Sequence, residues 1–454
     1  MLFCSEAFIF VFLPVFMLVY YITPERWRNL VLFLGSLWFY FVGERTWFFL
    51  IIVSLVMHFL GTSCMQGRGK KQRKGILILL LIYDFGSLFV FKYLPFLAGE
   101  ENIKLTLPLG ISFYTFQIAA YAIDVYRRPE EYEKDFVGLG TYLCMFPQLI
   151  AGPIVLFRDV AAQIKKRQVN LQGLEEGLKI FTVGLAYKML IANVLGRLWN
   201  EVRVVGIESV STSMAWLGAF AYSLQLYFDF NGYSLMAMGL GKMLGFSIPR
   251  NFNHPYIAVS ITDFWRRWHI TLSTWFRDYL YIPLGGNRKG KYRTICNLFI
   301  VWALTGIWHG AGWNFAMWGI YYFLLLVLEK VILGKFLEKH HGIGRVYTMI
   351  LVVAGWVIFS LEDMGSIGIC LKKMFCWMGT EHAWTLNWHV TVDALQRYGI
   401  FFLAAILLST YFPEKIYKKY QNRIWFSIML LGIFWASVYQ IVTAESNPFL
   451  YFRF

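Results

Sequence analysis

The feature that most constrains this chain is the recurrence, from one end to the other, of apolar stretches close to 20 residues long separated by short polar segments. An apolar helix of about 20 residues spans the hydrocarbon of a bilayer. An open strand there would leave backbone groups unpaired, so spans must be helical. The candidates are 6–22, 27–42, 46–65, 75–97, 105–126, 174–196, 212–231, 295–312, 314–334, 346–361, 395–412 and 424–441. They predict an all-α polytopic membrane protein with about 11–12 spans. Composition agrees: charged residues make up 15% of the chain, against about 25% in soluble domains. A soluble chain of 454 residues would split into domains joined by polar linkers, and none is visible. The chain reads as one integral membrane unit, 1–454.

The net charge of +15 comes from short basic clusters between apolar runs, a pattern of cytoplasmic loops and not of a nucleic-acid surface. GRGKKQRKG (67–75) holds five basic residues and no acid, so it is expected inside; GEENIK (99–104) is mostly acidic and expected outside. Counting outward places the N-terminus outside, the basic loops 329–345 and 413–423 inside, and the tail after 441 outside. The N-terminal stretch MLFCSEAFIFVFLPVFMLVYY has no basic n-region or small-residue cleavage site and reads as a retained first span. Cys4, Cys64, Cys144, Cys296, Cys370 and Cys376 form no C-x-x-C pair and read as small buried hydrophobes.

Two stretches break the alternation. Segment 137–157 is interrupted by Pro147, Gly152 and Pro153, and reads as a re-entrant element enclosed by protein or lining a water-filled cavity. Segment 250–294 carries eight Lys/Arg between two spans. Within it Ser260-x-x-Asp263 is a helix-capping signature. Phe264, Trp268, Leu272, Trp275 and Tyr279 follow at helical spacing, with Thr262, Arg266, His269, Ser273 and Arg277 on the opposite face. Such a helix either rests in the interface with arginines reaching the headgroups, or turns its polar face to a cavity holding an anionic ligand. Pro283-Leu-Gly-Gly-Asn287 ends it in a turn.

In ICNLFIVWALTGIWHGAGWNFAMWGIYYF residues 295–308 are apolar all round, and His309 follows at the end. An ionisable group at that depth is costly, and marks a functional site by default; imidazole is the side chain suited to proton transfer near neutral pH. The bland alternative is a core histidine bonded to a carbonyl. Gly306, Gly310, Ala311 and Gly312 allow close approach of a helix or of a substrate. No metal site is expected. His254 and His269 lack a carboxylate at ligand spacing, His340-His341 lie in a loop, and His382 and His389 lie in an outer stretch with Glu362, Asp363, Glu381 and Asp393. Broken segments are also how transporters build binding sites, but no internal repeat pairs the two halves.

The runs WRRWHITLSTWFRDYLYIPLGG and TGIWHG, with LPLGISFYTFQIAAYAIDVYR (107–127), MFPQLIAGPI (145–154) and the tail NPFLYFRF (447–454), resemble the membrane-bound O-acyltransferase (MBOAT) family. Within it they resemble the bacterial branch of alginate O-acetyltransferase membrane subunits, peptidoglycan O-acetyltransferases and the D-alanyl transfer protein of teichoic acid. The resemblance implies a helical bowl around a central tunnel, divided into N-terminal spans (1–136), a re-entrant and catalytic core (137–334), C-terminal spans (335–446) and an aromatic tail (447–454). It implies His309 as catalytic base and His269 as the residue that orients the thioester or polarises its carbonyl. It also implies a bacterial inner-membrane enzyme moving an acetyl group from cytoplasmic acetyl-CoA to an extracytoplasmic polysaccharide, with a secreted or membrane-anchored SGNH-hydrolase-like acetyltransferase as partner; D-alanyl transfer is the alternative. Arg266, Arg267, Ser273, Arg277, Arg288 and Lys289 would receive the donor's phosphates, unless the arginines only anchor the helix to lipid. Tyr451 would carry the acyl group, since a phenol ionises near pH 10 and its ester keeps high transfer potential; the alternative is an interfacial aromatic anchor.

Overall fold

A computed structural model describes residues 2–99, 105–375, 383–444 and 449–450, with the backbone alone for 383–387. The acidic loop at 100–104, His382, Glu381 and Cys376 lie outside the described residues. Among those described, all regular structure is helical.

Each of the twelve expected apolar stretches forms a helix, but the helices are of two kinds. Seven are long and apolar enough to cross a membrane: Phe48–Met65, Lys70–Lys92, Leu171–Val205, Trp313–Lys339, His341–Ser360, Trp388–Leu408 and Ile424–Thr443. Their outward faces expose large apolar side chains such as Leu60, Leu79, Ile82 and Leu403, a liability in water and the required surface in lipid. The others, among them Arg28–Gly43, Ile111–Arg127, Thr212–Met243 and Lys291–His309, are shorter or more polar. Ile111–Arg127 is buried along almost its whole length. A helix wrapped by protein needs partners for its polar groups, not uniform hydrophobicity.

Thr212–Met243 is the central pillar. It lies against Leu171–Ala186 along a seam of small residues: a Cβ on Gly177 would stand 2.5 Å from the Gly239 carbonyl oxygen, and one on Gly184 2.5 Å from that of Gly232. The same device joins Lys291–His309 to Trp313–Leu328, where Gly306 meets the Phe315 carbonyl and Gly319 meets that of Trp302. Gly306 therefore serves helix packing and not a substrate.

Segment 137–157 is broken, as its prolines require, into Phe136–Cys144, a single turn Phe146–Leu149 and an extended stretch. Residues 145–156 are buried in protein. Their backbone groups find side-chain partners: Phe146 N–H donates to Ser36 Oγ (3.1 Å), Ile154 N–H to Thr271 Oγ1 (2.9 Å), and the Val155 carbonyl accepts from the Tyr142 hydroxyl (3.0 Å).

Segment 250–294 corrects one expectation, and segment 329–345 another. Ser260 caps its helix as the signature requires, Oγ accepting from Asp263 N–H at 3.0 Å. That helix stops at Arg267, and a second, Ile270–Phe276, starts after His269. His269 has a left-handed backbone (φ 45°), so the polar stripe is not one continuous face. The expected cytoplasmic loop at 329–345 begins as a continuation of the preceding helix to Lys339. Its Glu329 is buried and accepts from Ile261 N–H (2.6 Å), Thr262 N–H (2.9 Å) and the Thr262 hydroxyl (2.7 Å). Cys4, Cys144 and Cys370 are buried as expected, but Cys64 and Cys296 are on the surface.

Candidate functional site

His309 is the last residue of its helix and is 6% exposed. Its ring stands edge-on to Trp318 (centroids 5.0 Å) and Phe359 (5.1 Å), and 4.9 Å from the Trp308 ring. The helix end that carries it is held from outside. The Lys92 ammonium donates to the Trp308 carbonyl and the Tyr93 hydroxyl to that of Ile307, satisfying acceptors the helix cannot. Asn314, at the start of the next helix, donates to the Phe359 carbonyl at 3.2 Å and fixes the turn after His309.

His269 reaches the same place from the break in the central segment. It is 2% exposed, 4.8 Å from the Phe230 ring and 6.2 Å from Trp308. Trp308 is thus a wall common to both histidines. A left-handed non-glycine residue costs of order 1–3 kcal/mol, and here tertiary bonds hold it. Ile270 N–H donates to the Asn251 carbonyl (2.9 Å), Asn253 N–H to the Arg267 carbonyl (2.9 Å), and His269 Nδ1 meets Asn251 Oδ1 at 3.1 Å.

The residues expected to receive a donor differ in their surroundings. Arg267 is bound to Asp263 (2.8 Å) and the Tyr411 hydroxyl (2.8 Å), and Arg277 to Asp278 (2.8 Å), which also pairs with Arg158 (2.8 Å). Asp278 is drawn up by partial burial, but the guanidinium groups of Arg277 and Arg158 outweigh this and hold its carboxyl below the usual range. Arg266, Arg288 and Lys289 are exposed. Ser273 donates to the Trp265 carbonyl (3.3 Å) across the helix break. Among the expected site residues that are described, the two histidines are brought together at a common ring, Trp308.

The C-terminal tail also arrives there. Phe449 is 1% exposed and lies 4.7 Å from Tyr233 and 6.1 Å from Phe230, ring to ring. Leu450 N–H donates to Asp229 Oδ2 at 2.9 Å, and Asp229 is ion-paired with Lys188 in the interior. Tyr451, the next residue, lies outside the described residues. A cavity of about 1170 Å³ is lined by Lys92, Arg197, Arg203, Gly310, Asn314 and Leu450, among others.

Sequence reasoning missed Asn251, Thr271, Asp229 and Lys188. The last two carried a usable signal, being ionisable residues inside apolar stretches. Asn251 lies in a polar stretch with no period to single it out. Among the described residues, no three His, Cys, Asp or Glu side chains come together as a metal site would require.

A polytopic helical protein that encloses two histidines in an aromatic chamber, beside a polar cavity, is built as a membrane-embedded transferase. The sequence profile of the MBOAT, membrane-bound O-acyltransferase family matches residues 132–361. The chain is 35% identical to a probable alginate O-acetylase of Pseudomonas putida over the whole of both chains. It is 41% identical to a probable alginate O-acetylase of Pseudomonas fluorescens over 83% of this chain and 76% of that one. It is 34% identical to a peptidoglycan O-acetyltransferase of Helicobacter pylori over 82% of this chain and 80% of that one. The chain belongs to the membrane-bound O-acyltransferase family and is an O-acyltransferase, which answers the transporter alternative.

Proposed function

We propose that the protein moves an acetyl group from cytoplasmic acetyl-CoA to the hydroxyls of an extracytoplasmic polysaccharide, across a bacterial inner membrane, with both termini outside. The observation that carries this reading is the position of Phe230, whose ring touches His269 on one side and Phe449 of the tail on the other. The tail is thereby anchored beside the histidines at Phe449 and Leu450, and Tyr451, the next residue, is the acyl carrier in this reading. In the sequence of events, the thioester acylates Tyr451, and the tyrosyl ester then passes its acetyl to an acceptor hydroxyl. His309 serves as general base toward that incoming hydroxyl.

The relatives named for alginate and peptidoglycan acetylation support a glycan acceptor. In the orientation given by loop charge, the cavity beside His309 opens outward, and its Arg197, Arg203 and Asn314 are hydrogen-bonding groups suited to an acidic or hydroxyl-rich ligand. An SGNH-hydrolase-like partner would collect the acetyl group there. Arg266, Arg288 and Lys289, exposed on the segment assigned to the cytoplasm, remain the candidate cations for the CoA phosphates; Arg267, Arg277 and Ser273 support the segment through the bonds described above.

The test is purified protein in nanodiscs with radiolabelled acetyl-CoA. CoA release with label on the wild-type chain, loss of that label in Tyr451→Phe, and loss of delivery to an oligosaccharide acceptor in His309→Ala are expected. Full delivery by His309→Ala would end this reading, and label from a D-alanyl carrier in place of acetyl-CoA would change its acyl group.

A further inference from the structure

Lys92 brings a charge to the wall beside His309. It ends the membrane-spanning helix Lys70–Lys92, where a lysine ordinarily reaches out to the headgroups. This one turns inward instead. Its ammonium donates to the carbonyl of Trp308, the residue before His309. Nζ stands 5.7 Å from the centre of the Trp308 ring, the same ring that lies 4.9 Å from that of His309 and 6.2 Å from that of His269. Three ionisable groups thus surround one indole, and the lysine is near enough for its charge to act on His309.

Capping the helix end does not account for the charge. Tyr93 satisfies the neighbouring Ile307 carbonyl with a neutral hydroxyl. A charge brought inside is costly unless it is paired, and no Asp or Glu among the described residues forms an ion pair with Lys92. An ammonium has three hydrogens, of which the Trp308 carbonyl takes one. Lys92 also lines the cavity of about 1170 Å³, together with Gly310, which follows His309, and Phe359, whose ring is 5.1 Å from the imidazole. A ligand in that cavity would meet both the lysine and the proposed base.

Ester formation calls for such a group. When an acceptor hydroxyl adds to the acetyl carbon, the carbonyl oxygen takes up a negative charge, whichever group has brought the acetyl. A cation already in place stabilises that charge without having to reorganise.

We propose that Lys92 is a catalytic residue, the donor to the acetyl carbonyl oxygen during transfer to the acceptor hydroxyl; this rests on the reading of His309 as base. His309 takes the hydroxyl proton as the acceptor oxygen forms its C–O bond to the acetyl carbon. The carbonyl electron pair moves onto the oxygen, which the Lys92 ammonium holds by a hydrogen bond. The C=O bond then re-forms and the bond from the acetyl carbon to its carrier breaks. The imidazolium returns the proton to the departing atom, and Lys92 keeps its hydrogens throughout.

The experiment uses the full chain in nanodiscs and follows label from acetyl-CoA to an oligosaccharide acceptor, then repeats the measurement with fluoroacetyl-CoA. Lys92→Gln keeps an N–H for the Trp308 carbonyl but no charge. Its kcat should fall about 100-fold or more, with KM for the acceptor little changed. The deficit should be smaller with the fluoroacetyl donor, whose fluorine itself stabilises the oxyanion. That comparison is made within one preparation, so it does not depend on the fraction of the variant that is folded. Lys92→Arg keeps a cation and should lose less than Lys92→Gln. Wild-type transfer by Lys92→Gln, or an equal deficit with both donors, would overturn the proposal and leave the functional reading standing. A wild-type chain that delivers no label to the acceptor overturns the functional reading instead.

Discussion

Asp229 accepts the backbone N–H of Leu450 at 2.9 Å through Oδ2 while it is ion-paired with the Lys188 ammonium. The pair is almost fully enclosed, with side chains 4% and 2% exposed, and it lies on the two helices that meet at the glycine seam. It ties the tail to the core at the residue before Tyr451. Removing one member strands the other charge in the interior, at a cost of about 3–5 kcal/mol, whereas apolar replacement of both is often neutral. Asp229→Ala should therefore lose both stability and acyl transfer. K188M/D229L should recover the melting temperature in detergent but not the transfer, because the Leu450 N–H still lacks its acceptor. Full transfer by the double variant would show that the tail needs no anchor there.

The glycine seam between Leu171–Ala186 and Thr212–Met243 makes a second prediction. A Cβ on Gly184 would meet Gly232 O at 2.5 Å and Met236 N at 2.7 Å, both backbone atoms that cannot turn aside. Gly184→Val should push the helices apart at a cost of at least about 1–3 kcal/mol, seen as a lower melting temperature or loss of a monodisperse peak. Gly86→Val, where an added Cβ meets nothing within 4 Å, is the control and should melt like wild type.

Which parts of this architecture could be read from the sequence follows from the range of the forces involved. His309 was legible because burying an imidazole at the end of an apolar stretch is costly in any fold, and the prolines at 147 and 153 break a helix locally. The break at His269 was not legible. Trp268-His269-Ile270 contains no glycine, proline or asparagine, and the left-handed turn is held by Asn251, a residue outside the helical pattern. Arg266 and Arg277 share a face by period and Arg267 adjoins the first, and all three are expected as donor cations alike. Asp263, four residues before Arg267 on the same helix, and Asp278, next to Arg277, set the last two apart and stood in plain view at local spacing; Tyr411, which also binds Arg267, comes from a distant part of the chain that no period reveals.

Glu329 provides a third prediction. Its two oxygens accept two backbone N–H groups and a hydroxyl at the start of the Ile261–Arg267 helix, where the helix has donors it cannot satisfy itself. Glu329→Gln retains one acceptor oxygen and turns an NH2 toward the remaining donors. A buried donor left unpaired costs about 1–3 kcal/mol. Reduced thermal stability and impaired acyl transfer are expected together, since the helix leads directly into His269. Wild-type melting in Glu329→Gln would show that these bonds contribute nothing net.

Glu414 clamps the central segment to the Phe412–Tyr420 helix and gives the clamp a pH dependence. Its carboxylate meets Lys418 at 2.8 Å and both Arg250 and His254 at 3.0 Å. Partial burial alone would raise its pKa, but the hydrogen bonds from Lys418, His254 and Arg250 outweigh that and hold it at about 2, below the ordinary 4.5. A carboxyl depressed in the folded state stabilises fully above its unfolded pKa, and the gain is lost as pH falls through the folded one. The gap in melting temperature between wild type and Glu414→Gln should therefore be constant well above 4.5 and shrink between 4.5 and about 2. High salt should narrow it less than it narrows the effect of Arg397→Gln, whose pairs with Glu201 and Asp393 are more exposed. A gap that does not change on acidification would mean that the carboxylate charge plays no part in holding the segment that presents His269.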